Sequence, residues 1–123
     1  MRVMLATKPA DFRKGIDGIA QLCRAVLSQD PFSGTVFVFR NRNRTAIKVL
    51  VYDGRGFWLC HKRLSKGRLS WWPDNESEAT IILESHELAV LLSGGDPNNT
   101  AAPPLWRPVV VDRGQKSTSE TNK

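Results

Sequence analysis

Hydrophobic positions along the chain follow two different spacings. Between residues 16 and 27 they recur at three- and four-residue steps, which predicts a helix over about residues 15–28. Asp30 followed by Pro31 ends this helix, because a residue that precedes proline is disfavoured in the helical conformation. Shorter alternating or continuous apolar segments then predict three strands, at residues 35–40, 45–52 and 56–64.

Turn residues connect these three strands as two consecutive hairpins. Residues 41–44 form a loop rich in turn formers, and the second connection contains an Asp-Gly pair, a strong signal for a tight turn. The loop lengths predict that Arg40 faces Thr45 in the first hairpin and that Asp53 faces Gly56 in the second.

The remaining patterned segments complete an α+β domain. Residues 3–6 predict a short strand, residues 79–83 alternate weakly enough to allow one more, and residues 84–93 predict a second helix. We therefore expect an antiparallel β-meander packed against at least two helices in a single domain over residues 1–111. Residues 112–123 are polar and without periodicity, which predicts a disordered tail.

The predicted register sorts the strand side chains into two faces. The first face is nearly all apolar and carries Val36, Val38, Ile47, Val49, Val51, Trp58, Cys60 and Leu64. We expect the helical stripe at residues 16–27 to cover it. The second face mixes aromatic and basic groups and carries Phe37, Phe39, Lys48, Leu50, Tyr52, Phe57, Leu59, His61 and Arg63.

This second face has two interpretations. Aromatic rings among cations are typical of single-stranded nucleic acid platforms, where bases stack and phosphates meet positive charge. Alternatively, Lys48 and Arg63 only solvate the face with their stems lying over the phenylalanines, or the second helix covers it. A register error of one residue would exchange the two faces.

Positive charge is concentrated in residues 40–68. The segment has nine basic residues and one acidic residue, a net charge of +8 against +6 for the whole chain, so the rest carries −2. Such a concentration favours a polyanion partner, most often nucleic acid. The candidate nucleic-acid-binding residues are Arg40, Arg42, Arg44, Lys48, Arg55, Lys62, Arg63, Lys66 and Arg68.

Four of these cations lie on predicted loops. Arg42 and Arg44 on the first hairpin loop, and Lys66 and Arg68 beyond the third strand, are expected at one end of the sheet, with Arg55 at the opposite end. Protruding loop cations can contact phosphates without desolvating the core. The alternative is a solvated edge that discourages strand addition.

Catalytic and metal-binding patterns are not found in the sequence. The two histidines, His61 and His86, have no cysteine or carboxylate at metal-ligand spacing, and Cys23 and Cys60 form no close pair. We therefore expect no enzyme, no metal, no cofactor and no small-molecule substrate. The chain has no apolar run long enough to cross a membrane, and we expect a cytoplasmic protein.

Five ordered segments resemble one known family. They are residues 11–20 (DFRKGIDGIA), 30–42 (DPFSGTVFVFRNR), 47–59 (IKVLVYDGRGFWL), 62–68 (KRLSKGR) and 91–96 (LLSGGD). Together they resemble the small accessory protein of bacterial transposons of the insertion sequence 66 family, the product of the second open reading frame, often called TnpB. The similarity covers about residues 2–108, and the doubled tryptophan at 71–72 departs from the usual single one.

The resemblance implies an accessory role in DNA transposition beside a separate large transposase, and it carries over no catalytic residue. Transposon DNA and the transposase are thus the expected partners, with the basic segment holding DNA. A different hypothesis is an adaptor that docks on the transposase through Trp71, Trp72 and Trp106, although tryptophans are more often part of a core. A third is an RNA-binding regulator.

Overall fold

A five-stranded sheet with two helices forms the fold in the computed structural model, which describes residues 1–73 and 77–93. The elements are β1 (Val3–Ala6), α1 (Ile16–Ala25), β2 (Val36–Arg40), β3 (Ala46–Tyr52), β4 (Phe57–Arg63), β5 (Thr80–Leu83) and α2 (Ser85–Leu92). The predicted α+β class is confirmed. The expected domain limit at residue 111 and the expected tail at 112–123 lie outside the described residues.

The strands are arranged in the order β4-β3-β2-β1-β5. The predicted meander is present, since β2, β3 and β4 pair antiparallel. β1 pairs parallel with β2 on one side and antiparallel with β5 on the other, so the sheet is mixed. The two edges are therefore β4 and β5, and the first strand of the chain lies inside the sheet.

The register of the second hairpin is the predicted one, and that of the first is shifted by two residues. Lys48 faces His61 in the second hairpin as expected. In the first hairpin Lys48 faces Phe39, and Arg40 faces Ile47 rather than Thr45. The reason is the Asn41 side chain, which accepts hydrogen bonds from the N–H groups of Thr45 and Ala46 within the loop. The first residue pair of the hairpin is therefore formed by Asn41 and Ala46 instead of Arg40 and Thr45. A shift of two residues leaves every side chain on its predicted face.

The helix that covers each face was predicted incorrectly. α1 packs on the aromatic face, where Ile19, Ala20 and Cys23 contact a cluster that includes Phe37 and Phe39. The cause is the parallel pairing of β1 with β2, because a right-handed crossover between parallel strands fixes the face on which its helix lies. Phe37 and Phe39 are 0% and 1% exposed under α1, so these two rings cannot stack on bases and their part in the expected platform is wrong.

α1 also ends three residues earlier than predicted. Its last residue is Ala25, and Ser28 adopts a left-handed conformation with φ of 55°. The N–H of Gln29 then donates to the Cys23 carbonyl (2.8 Å), which closes the helix before Asp30-Pro31 is reached.

α2 covers the other face together with the segment after β4. Leu88 and Leu91 pack with Val36, Val38 and Ile47 in one buried cluster. A reciprocal capping box starts α2, in which Glu84 accepts from the N–H of Glu87 and the Glu87 side chain accepts from the N–H of Glu84. The predicted helix at residues 84–93 is thus confirmed, with observed bounds of Ser85–Leu92.

Lys48 is the buried cation of the sheet and fastens the segment before α1. Its side chain is 6% exposed, and Nζ donates to the carbonyl oxygens of Phe12 and Lys14, at 2.9 Å each. The ammonium group also lies 5.1 Å from the centroid of the Phe12 ring. Lys48 therefore serves the fold rather than an external phosphate.

Replacing this lysine should destabilise the domain. Lys48→Met keeps the apolar stem but removes both charge-assisted hydrogen bonds, so we expect the free energy of unfolding to fall by about 2 kcal/mol in urea denaturation. Lys66→Met at an exposed position is the control and should change it by less than about 0.5 kcal/mol. Equal effects of the two substitutions would contradict the anchoring role of Lys48.

Candidate nucleic-acid interface

The loop between β2 and β3 is held rigid by one asparagine. Asn41 Oδ1 accepts from the N–H groups of Thr45 (2.8 Å) and Ala46 (3.1 Å), and Nδ2 donates to Thr45 Oγ1 (2.7 Å). Arg44 occupies the left-handed region with φ of 61°, which closes the turn. The exposed Arg42 and the half-buried Arg44 thus extend from a loop with fixed geometry.

The segment after β4 binds directly to this loop. The N–H of Leu64 donates to the Thr45 carbonyl and the N–H of Leu69 donates to the Arg44 carbonyl, both at 2.8 Å. Leu69 is 4% exposed and anchors the segment in the core, while Gly67 turns it with a φ of 71°. Lys66 and Arg68, both exposed, are consequently held beside the first loop.

These two loops bring five cations to one end of the sheet. We call this surface the basic end and define it by Arg42, Arg44, Arg63, Lys66 and Arg68. Arg63 belongs to it because it is the last residue of β4 and pairs with Ala46, the first residue of β3. Arg55 lies in the β3–β4 turn at the other end of the sheet, as expected.

A third basic loop reaches the same end and was missed from sequence. Because β1 is parallel to β2, the loop after β1 leaves from the basic end, and the N–H of Ala10 donates to the Arg40 carbonyl (2.9 Å). This loop carries Lys8, Arg13 and Lys14, all exposed. Only the parallel pairing could have revealed them, since they lie far from the basic segment in sequence.

A groove separates this third loop from the β2–β3 loop. It encloses about 720 Å³ and is lined by Pro9, Ala10, Asp11, Phe12, Arg13, Asn41, Arg42 and Asn43. Its walls mix polar and apolar groups, and two arginines, Arg13 and Arg42, belong to them.

Carboxylates neutralise little of this charge. Within residues 1–73 and 77–93 there is one ion pair, between Arg13 Nη2 and Asp11 Oδ2 at 2.8 Å. Hydrogen bonds from Arg13 hold the pKa of Asp11 well below its usual range. Asp53, the acid of the basic segment, accepts from the N–H groups of Arg55 and Gly56 and from the Trp58 indole, which lowers its pKa, with the Arg55 N–H the largest cause.

Three of the nine predicted cations have structural partners. Lys48 is buried, as described above. Arg40 is half-buried, and its Nη1 donates to the carbonyls of Asn41 (3.1 Å) and Arg42 (3.4 Å). Arg40 therefore stabilises the β2–β3 loop. Lys62 Nζ donates to the Leu92 carbonyl at the end of α2.

The tryptophans considered as partner anchors differ in exposure. Trp72 is 4% exposed and its indole Nε1 donates to the Ala6 carbonyl (2.9 Å), so it is a core residue and the anchor prediction for it is wrong. Trp71 is half-buried against the same cluster, and Trp106 lies outside the described residues. Trp58 on β4, expected on the covered apolar face, is 61% exposed.

Side chains that could bind a metal ion do not cluster in the described part of the chain. Residues 1–73 and 77–93 contain no group of three metal-ligating side chains. Burial raises the pKa of the Cys23 thiol to about 11, and His61 packs edge-on against Phe12 with ring centroids 5.7 Å apart. None of the helices described is long and apolar enough to span a bilayer.

Comparison with known proteins identifies the family. The family model described as IS66 Orf2 like protein matches residues 1–102. The chain belongs to the IS66 Orf2-like family. The resemblance inferred from its five motifs is thereby confirmed, and the family associates the chain with an accessory role in transposition of an insertion sequence.

Two relatives of this IS66 Orf2-like protein come from Sinorhizobium fredii (strain NBRC 101917 / NGR234). The uncharacterized protein y4hO is 40% identical over 114 residues, and the uncharacterized protein y4jC is 32% identical over 111 residues. Each alignment covers 90% of this chain and 93% of the relative. No solved structure matches.

The asparagine clamp should determine the order of the β2–β3 loop in this IS66 Orf2-like protein. Asn41→Ala leaves the N–H groups of Thr45 and Ala46 without their acceptor, so we expect these two amides to lose protection in hydrogen exchange and the fold to lose about 2 kcal/mol. Asn43→Ala, at an exposed neighbouring position, should change neither. Protection that persists at both amides in Asn41→Ala would show that the clamp is unimportant.

Proposed function

We propose that this chain is a non-catalytic accessory protein of transposition that holds DNA of its element at the basic end. Family membership associates the chain with transposition. The arrangement of the cations suggests how it acts, by contacting DNA phosphates. The strongest support is the pair of backbone hydrogen bonds that join residues 44–45 to Leu64 and Leu69, because they hold four loop cations on one surface.

The charge of this surface is available to a ligand. None of Arg42, Arg44, Arg63, Lys66 and Arg68 forms an ion pair within residues 1–73 and 77–93. The loops are fixed by backbone bonds and the asparagine clamp, so little loop entropy is lost when phosphates bind. Lys8 and Lys14 extend the same surface on the third loop.

Binding of this type relies on phosphate contacts. The phenylalanines that a stacking platform requires are buried under α1, so affinity is expected to come from counterion release and to depend steeply on salt. Sequence preference then has to come from a second component, such as DNA shape or the transposase.

Fluorescence anisotropy with duplex DNA from the ends of the element tests the proposal. We expect the fourfold variant Arg42→Ala, Arg44→Ala, Lys66→Ala and Arg68→Ala to lose at least about tenfold in affinity, with the slope of log K against log salt reduced by up to about four units.

The control for this experiment is matched in charge. Arg42→Ala with Arg68→Ala removes two charges from the basic end, and Arg2→Ala with Arg55→Ala removes two exposed charges from the other end of the sheet. The first double variant should weaken binding and the second should leave it within about twofold. Equal losses in the two would mean that only net charge matters and would refute a defined surface.

Docking on the transposase is the second candidate function, favoured by the exposed indole of Trp58. Its Nε1 donates to Asp53 Oδ2 (2.9 Å), so the exposed ring is held in one orientation, as expected for an anchor in a protein interface.

Co-purification with the transposase of the same element tests this role. Trp58→Ser should abolish recovery of the transposase, and Phe32→Ser, at another exposed aromatic, is the control that should not. Recovery that both variants retain would exclude Trp58 as the anchor.

A further inference from the structure

Arg13 combines near-complete exposure with a fixed side chain. The side chain is 92% exposed, yet its guanidinium makes three hydrogen bonds to the Asp11 carboxylate. Nε lies 3.0 Å from Oδ1 and 3.3 Å from Oδ2, and Nη2 lies 2.8 Å from Oδ2. An exposed ion pair contributes little to folding stability, because water solvates both charges in the unfolded and the folded chain. The main effect of this pair is therefore to orient the guanidinium.

The backbone on both sides of Arg13 is fixed as well. Nζ of the buried Lys48 donates to the carbonyls of Phe12 and Lys14, the two flanking residues, at 2.9 Å each. The N–H of Arg13 donates to Asp11 Oδ1 (3.0 Å). Backbone and side chain thus hold the guanidinium in one orientation before a ligand binds, which reduces the entropy lost on binding.

One edge of this guanidinium stays available to a ligand. Asp11 accepts from Nε and from Nη2, and a guanidinium has five N–H donors in a planar fork. The edge formed by Nη1 and Nη2 therefore keeps two N–H groups side by side. None of the hydrogen bonds within residues 1–73 and 77–93 occupies that edge. Two parallel donors match a ligand that has two neighbouring acceptors.

The position of Arg13 places this edge beside the proposed DNA surface. The loop after β1 reaches the basic end, and Arg13 and Arg42 both line the groove that separates this loop from the β2–β3 loop. A duplex held by its phosphates at the basic end thus lies beside Arg13. The exposure of the Arg13 side chain allows it to enter a groove of that duplex.

Net charge distinguishes Arg13 from the cations of the basic end. The pair of Asp11 and Arg13 carries no net charge, whereas the five cations of the basic end form no ion pair within residues 1–73 and 77–93. Phosphate contacts gain mainly from net positive charge, and a carboxylate oxygen 2.8 Å from Nη2 repels an approaching phosphate. An uncharged base edge is not repelled in this way and is recognised by the arrangement of its donors and acceptors.

We propose that Arg13 reads guanine in the major groove of duplex DNA held at the basic end, with Asp11 as its positioning residue, an assignment that rests on the proposed function. Guanine presents two neighbouring acceptors there, O6 and N7, which match the two available N–H groups. Adenine presents one acceptor and one donor, thymine one acceptor and a methyl group, and cytosine a donor. Arg13 is thus a source of sequence preference that phosphate contacts do not provide.

Fluorescence anisotropy with two forms of one duplex tests this assignment. The duplex from the ends of the element is synthesised once with guanine and once with 7-deazaguanine, which lacks the N7 acceptor but keeps base pairing and phosphate charge. We expect the wild type to bind the guanine form at least about fivefold more tightly, and Arg13→Ala to bind both forms equally. Because the side chain is exposed, Arg13→Ala should keep the fold, which circular dichroism checks.

Two matched variants separate base reading from charge. Arg13→Lys keeps the charge but lacks the fork, so it should lose the preference and bind the 7-deazaguanine form within about twofold of the wild type. Arg42→Ala removes an expected phosphate contact, so it should weaken binding to both forms by the same factor. If Arg13→Ala also weakens both forms by the same factor, Arg13 contacts phosphate and the proposal is overturned.

Asp11→Asn tests the positioning role. The asparagine retains an oxygen that can accept from the N–H of Arg13, but it cannot bind Nε and Nη2 as the carboxylate does. The substitution also adds one net positive charge to the loop. We expect affinity for both forms of the duplex to rise while the preference for the guanine form is lost. A preference that Asp11→Asn retains would overturn the role assigned to Asp11.

The wild-type measurements distinguish failure of this inference from failure of the proposed function. Equal affinity for the two forms, with a steep dependence on salt, would refute guanine reading and leave DNA binding at the basic end in place. A wild type that binds neither form would refute both.

Discussion

The parallel pairing of β1 with β2 is the constraint on which the rest of the structure depends. It places the first strand of the chain inside the sheet and requires a crossover, which puts α1 on the aromatic face. The crossover also brings the loop after β1 to the basic end, and Lys48 fastens that loop through the carbonyls of Phe12 and Lys14. One pairing thus determines which face α1 covers, which lysine is buried and which extra cations lie at the basic end.

Local features of the fold could be predicted from the sequence, whereas the parallel pairing could not. Alternation and turn residues give the meander, its two faces and the register of the second hairpin, because these depend on neighbouring residues. The first hairpin differs by two residues because the Asn41 side chain bonds within its loop, a detail that loop length does not reveal. The face covered by α1 depends on a pairing between strands about thirty residues apart.

The candidate site likewise has residues whose position follows from neighbouring sequence and residues whose position depends on the β1–β2 pairing. Loop cations such as Arg42 and Lys66 were predicted at one end of the sheet because hairpin geometry fixes which loops are neighbours. Lys48 has the same charge but lies on a strand that became covered, so its charge serves the core. Lys8 and Lys14 were missed because their proximity depends on β1. Charge in the sequence therefore predicts a polyanion partner, and the fold determines which of the cations are exposed.

We propose that cations of separate loops form one surface for DNA. The most direct test is to record the backbone amide resonances of the protein while a short duplex is added. We predict that the amides that shift lie in residues 8–14, 41–45 and 63–69, which meet at the basic end, and that those in the β3–β4 turn at residues 53–56 stay unchanged. Shifts centred on that turn, or spread evenly over the molecule, would contradict the account.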